Sequence, residues 1–180
     1  MLQLKNTDVR YGAVGIFFHW VMALLIIGML ALGLYMTSLP VGTQKFRLYG
    51  LHKEFGVMIL GLVVLRISWW LFNKVPQLPY DMPLWQKLAA HGAHFALYML
   101  MVFMPITGWL MSSASGFPVS FFGLFVMPDL IVPNEYLRVL MAQTHEWLGY
   151  AFIAVICVHV LAALQHHFII KDDILKRILP

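Results

Sequence analysis

The stretch HEWLGYAFIAVICVHVLAALQHHFII, residues 145–170, decides how the rest of the chain is read. From Trp147 to Ile170 it holds no carboxylate, lysine or arginine, yet His145 stands at its start and His159 fourteen residues later. Fourteen residues make four helical turns at about 3.5 residues each, so both imidazoles fall on nearly one face. At about 1.5 Å per residue they lie roughly 21 Å apart along the axis. That places one near each edge of a hydrocarbon layer about 30 Å thick. Ionisable groups at such depth are costly and mark function by default. The spacing suits two metal centres stacked across a bilayer.

The whole chain agrees with a membrane setting. Of 180 residues, 61% are hydrophobic and 11% charged, and the mean hydropathy is +0.80. A soluble domain of this size could not cover itself with so little polar surface. Hydropathy predicts four spans, over about 12–37, 50–72, 88–112 and 144–170, within a single domain covering 1–180. The expected fold is an all-α integral membrane bundle of four transmembrane helices. Pro40 with Gly42, the trio Pro76, Pro79 and Pro83, and the trio Pro118, Pro128 and Pro133 punctuate the three connections. Asn134 is placed to cap a short helix leading into the fourth span. The apolar run from Tyr11 past Tyr35 is too long for a signal peptide's apolar region of about 7–15 residues, and it is read as a retained span. The lone Cys157, inside an apolar helix, excludes an intrachain disulfide and a cysteine-built cluster.

Lysine and arginine set the orientation. Lys5, Arg10, Arg66, Lys74, Lys87, Lys171, Lys176 and Arg177 belong to one side, and Lys45, Arg47, Lys53 and Arg138 to the other. The richer side is expected to be cytoplasmic, with both termini inside. The net charge of +4 is scattered over loops, which fits orientation in lipid and not nucleic-acid binding.

Eight histidines punctuate the chain: His19, His52, His91, His94, His145, His159, His166 and His167. Sorted by depth, His52 and His145 share an outer layer, and His19 and His159 share an inner one with His94 as competitor. Four residues after each of the four main histidines stands a small residue: Ala23, Gly56, Gly149 and Ala163. Such a neighbour leaves a shallow patch on the same helix face, against which a flat porphyrin can lie. His94 and His91 are followed at that offset by Tyr98 and Phe95, which weakens both as ligands. Zinc or iron–sulfur sites want three or four converging donors. Two facing imidazoles suit the iron of haem, whose other four ligands come from the porphyrin, and a six-coordinate iron has electron transfer as its expected role.

Arg66 lies fourteen residues after His52 on the same stripe and is read as a cation for inner haem propionates. Lys45, Arg47 and Lys53 form an expected basic cluster beside the outer layer, for outer propionates or for steering a small anion. His166, His167, Lys171 and Asp172 are the candidates for a quinone site, because quinone reduction needs proton donors near water. Pro105 is expected to kink the third span. Phe117, Phe121, Phe122 and Phe125 are expected to form an interfacial cover.

The segments FHW (18–20), LHKEFG (51–56), HGAHFALY (91–98), THEWLGY (144–150) and VHVLAALQHHFIIKDD (158–173) resemble the bacterial cytochrome b561 family over essentially the whole chain. That family is related to the di-haem cytochrome b subunits of membrane hydrogenases and formate dehydrogenases. The resemblance implies a four-helix bundle with two haems b, the outer held by His52 and His145 and the inner by His19 and His159. It also implies electron exchange with a membrane quinone, ubiquinone or menaquinone. One branch oxidises superoxide on the periplasmic side and reduces ubiquinone, so a superoxide oxidase is the leading expectation. An electron-transfer subunit for a partner dehydrogenase is the alternative, and a histidine-lined metal or haem transporter the remote one.

Overall fold

A computed structural model describes residues 3–180. Four long helices follow one another up and down: α1 (Ala13–Ser38), α2 (Thr43–Leu71), α3 (Leu84–Ala114) and α4 (Glu135–Gln165). A π-helical turn, His166–Ile170, continues α4, and a 3-10 turn, Leu175–Arg177, lies near the C-terminus. All four helices are long and apolar enough to cross a membrane. A helix satisfies its own backbone internally, which hydrocarbon demands.

The helices outrun the hydropathic segments at several ends. α2 starts at Thr43 instead of about 50, α3 at Leu84 instead of about 88, and α4 at Glu135 instead of about 144. Hydropathy reports the part of a helix that sits in lipid, while the helix itself runs on through polar turns. Asn134 caps α4 itself and not a separate short helix: its Oδ1 accepts the Leu137 N–H at 3.0 Å. α3 runs unbroken through Pro105. α1 ends before Pro40, and Lys45 Nζ donates to the terminal carbonyls of Thr37 (3.2 Å) and Leu39 (2.7 Å).

α1 packs on α2, α2 on α3, and α3 on α4, the last being the most extensive seam; α1 and α4 form no comparable one. The shared core is thin, built from Met22, Ile26, Ile59, Val63, Leu100, Met101 and Phe152. Large apolar side chains such as Leu24 and Leu161 stay exposed. In water that surface would be ruinous, whereas lipid tails solvate it.

The even number of helices puts both termini on one face, here the terminal face. Segments there are tied together: Gln77 N–H donates to the Asp8 carbonyl (2.9 Å), Tyr11 N–H to that of Arg177 (3.3 Å), and Trp20 Nε1 to that of Ile178 (2.8 Å). Gly12 is required at this crossing, since a Cβ would lie 2.3 Å from the Leu4 carbonyl oxygen. The far face carries a small hairpin, β1 (Ser120–Phe121) against antiparallel β2 (Phe125–Val126), with Ser120 opposite Val126. Gly123, at φ +72°, and Phe122, at φ 49°, turn it. Phe122 packs edge-on against Phe55 of α2 at 5.3 Å, and Phe121 stacks on Phe125 at 5.1 Å. The hairpin thus lies over α2, while Phe117 and Phe125 remain exposed.

Candidate metal-ligand histidines

Toward the far face, α2 brings His52 to His145 of α4, with ring centroids 6.1 Å apart and planes at 76°. A metal–nitrogen bond of about 2 Å, plus about 1.1 Å from nitrogen to ring centre, holds two trans imidazoles roughly 6 Å apart, centre to centre. The observed separation therefore fits one metal between them. The rings border a cavity of about 950 Å³ that also meets Gly56 and Gly149. Both glycines flank the space where the sequence places them. Two more, Gly33 of α1 and Gly108 of α3, complete the cradle: a Cβ on Gly33 would stand 3.5 Å from His52 Cε1, and one on Gly108 would stand 3.1 Å from His145 Cε1. His52 Nδ1 is buried with no hydrogen-bond partner among the described residues. Among those residues, no three histidine, cysteine or carboxylate side chains converge as a bare metal ion would require. Two apposed imidazoles beside a large, glycine-walled cavity fit a haem.

Nearer the terminal face, His19 of α1 lies 6.3 Å from His159 of α4, at 53°. The same spacing argument applies. His94 of α3 is closer to His159, at 5.4 Å, which is short for two rings on opposite sides of one metal. Trp20 packs edge-on against His19 at 5.2 Å. Ala23 and Ala163 are half-buried one turn beyond His19 and His159. α4 thus contributes one histidine to each layer.

Arg66 points inward from α2. Its Nε donates to the Tyr98 hydroxyl (3.3 Å) and its Nη1 to the Phe18 carbonyl (3.4 Å), one residue before His19. No described carboxylate pairs with it. A cation held inside a bundle by neutral oxygens retains the capacity to bind an anion.

The three basic residues of the far face have different surroundings. Lys45 is spent on the end of α1, Arg47 is exposed, and Lys53 alone of the three lines the cavity. Lys53 Nζ donates to Ser112 Oγ at 3.1 Å and lies 3.5 Å from the Pro118 carbonyl. Arg138 and Glu146 also line the cavity, and Arg138 is paired with Glu135. Lys45 and Lys53 stand eight residues apart on α2, more than two turns, and each meets a different neighbour.

At the terminal face, His166 Nδ1 pairs with Asp172 Oδ2, whose other oxygen accepts the Ile174 N–H at 3.1 Å. The π turn and Lys171, at φ 62°, fold the chain back to make this contact. His167 takes another direction, packing on Phe168 at 4.7 Å with its Nδ1 buried and unpartnered among the described residues. Of the four quinone candidates, the structure therefore joins His166 with Asp172 and leaves His167 apart. Among the described residues, the Lys171 side chain makes no hydrogen bond or ion pair with them.

Sequence reasoning missed Gly33, Gly108 and Thr107. Thr107 is buried, and its hydroxyl lies 3.1 Å from His145 Nδ1. Each acts across a helix–helix gap, and rotation about a helix axis is not written in periodicity.

The family model described as prokaryotic cytochrome b561 matches residues 10–180. The chain is 36% identical over 180 residues to cytochrome b561 homolog 2 of Escherichia coli (strain K12), covering 99% of this chain and 95% of that one. It is 30% identical over 175 residues to cytochrome b561 homolog 1 of the same strain, covering 95% and 97%. It is 31% identical over 177 residues to a protein of Yersinia pestis named probable superoxide oxidase CybB, covering 95% and 96%.

Proposed function

The chain belongs to the prokaryotic cytochrome b561 family, a family of multi-pass, haem b-binding electron-transfer proteins of bacterial membranes, and from that premise we propose that it is an inner-membrane superoxide:quinone oxidoreductase with two haems b. The observation that carries this reading is the pair of histidine couples, 6.1 and 6.3 Å between centroids, strung along α4. His52 and His145 would hold one haem and His19 and His159 the other. Held by those residues, each haem would supply a one-electron centre suited to relaying electrons.

The chain's own residues supply the rest. Lys53, beside the far cavity, provides the positive charge that draws a small anion toward the His52 layer. Arg66 would neutralise propionates near the His19 layer through charge-assisted hydrogen bonds. Two superoxide ions each surrender one electron and leave as oxygen. One quinone, ubiquinone or menaquinone, takes both electrons and two protons. His166, held through Nδ1 by Asp172, presents Nε2: as an imidazolium it would hand one proton to a quinone oxygen and, re-protonated from water at the terminal face, a second, while Asp172 accepts the Nδ1–H throughout. The similarity to a protein named a probable superoxide oxidase supports superoxide as the donor.

The test begins with the detergent-purified protein, which should show a reduced b-type spectrum with two haems per chain. Anaerobic stopped-flow mixing with superoxide should reduce it, and added quinone should reoxidise it. Reduction by quinol or a dehydrogenase but not by superoxide would reassign the chain as an electron-transfer subunit. A colourless, folded preparation would sink the electron-transfer reading itself.

A further inference from the structure

The two imidazoles of the far layer are not equivalent. His52 Nδ1 is buried and meets no acceptor among the described residues. His145 Nδ1 faces Thr107 Oγ1 at 3.1 Å. Thr107 has one hydroxyl hydrogen, and the Met104 carbonyl, 2.9 Å away, takes it. The hydroxyl oxygen then has only lone pairs to offer His145, so the hydrogen in that second contact must come from the ring. A protonated Nδ1 leaves Nε2 bare, and Nε2 is the nitrogen free to bind a metal. Thr107 is 7% exposed, so water does not compete for this bond. Gly108, the next residue, lets the ring lie against α3: a Cβ there would stand 3.1 Å from His145 Cε1. One turn of α3 therefore fixes both where the ring sits and which nitrogen it presents.

We infer that Thr107 is a positioning residue for His145: it selects the Nδ1–H tautomer and makes this the more electron-rich of the two far-layer imidazoles. The inference rests on the proposed ligand set. A ligand imidazole whose N–H is accepted by an oxygen is a stronger donor, which favours the oxidised metal and lowers the reduction potential. His52 has no such support. Thr107 thus sets the potential of the far haem separately from that of the near one.

The test is a redox titration of the holoprotein with Thr107→Val and Thr107→Ser. Valine keeps the shape and loses the acceptor, so both haems should stay bound while one midpoint moves positive and the other stays put. Serine should restore the original midpoint. Two unchanged midpoints in the valine variant, or equal shifts with valine and serine, would overturn the inference while leaving the ligand assignment intact. Should the valine protein not accumulate, ¹⁵N-histidine NMR of the unmutated, reduced protein decides. Ligation through Nε2 puts a proton on Nδ1 of both rings; a hydrogen-bond-shifted, slowly exchanging Nδ1–H on His145 beside an unshifted one on His52 is expected, and equal shifts on the two rings overturn the inference. Failure of the underlying reading has its own signature: His145→Ala retaining two haems per chain.

Discussion

At the scale of single residues, the proposed ligand pairs make separable demands. Replacing His159 with Ala should remove the haem of the terminal-face layer and halve the haem content measured as the pyridine adduct; two haems per chain in that variant would assign the iron to other donors, His94 first. The cradle is tested by Gly108→Ala. A methyl group 3.1 Å from His145 Cε1 forces the ring or α3 to shift. We expect partial loss of the far-layer haem with little change in expression, read from the same assay. The spacing of His145 and His159 was legible because a helix repeats on a known period, as were the small residues one turn beyond each histidine. Thr107, Gly33 and Gly108 were not legible: each touches a ring on a different helix, and a single sequence carries no record of inter-helix rotation. The partners of the basic trio were illegible for the same reason. Lys45 turns to the end of α1 and Lys53 to Ser112 of α3, partners that their position on α2 does not reveal.

At the scale of elements, the four helices were readable from hydropathy, and their ends were not. Polar first turns such as that opening with Glu135 and Arg138 look like loop to a hydropathy scan, yet Asn134 starts a helix there. Removing that cap by Asn134→Ala should cost about 1 kcal/mol. The expected result is a lower midpoint of thermal unfolding in detergent with haem content unchanged. The hairpin Ser120–Val126 escaped the sequence reading because its strands are two residues each, too short to show alternation. Its aromatic composition did suggest a cover, and the Phe122–Phe55 contact is where it meets α2.

At the scale of the whole molecule, the terminal face is held by contacts between segments far apart in sequence. Arg177 joins the C-terminal tail to the α2–α3 connection, donating to the Gln77 carbonyl at 2.6 Å and to Asp173 at 2.7 Å. The Arg177 guanidinium beside Asp173 holds its carboxyl below the usual aspartate range. A carboxyl lowered in the folded state contributes fully above its ordinary pKa of about 3.9 and loses that contribution as pH falls through the lower, folded value. The pair is largely solvent-exposed on the aspartate side, so the effect is small. Acidification across that window should raise deuterium uptake in the tail, and Asp173→Asn should abolish that pH response.

The missing seam between α1 and α4 has a consequence for how the protein is made. On the proposed ligand set, both couples are completed only by α4, the last of these four helices to leave the ribosome. Neither pigment could then be captured before α4 is made, and loading would wait for that helix to join the other three in the bilayer. A chain cut short after Val132 should insert three helices and stay colourless, whereas colour in that fragment would mean that the first three helices can bind the prosthetic group unaided.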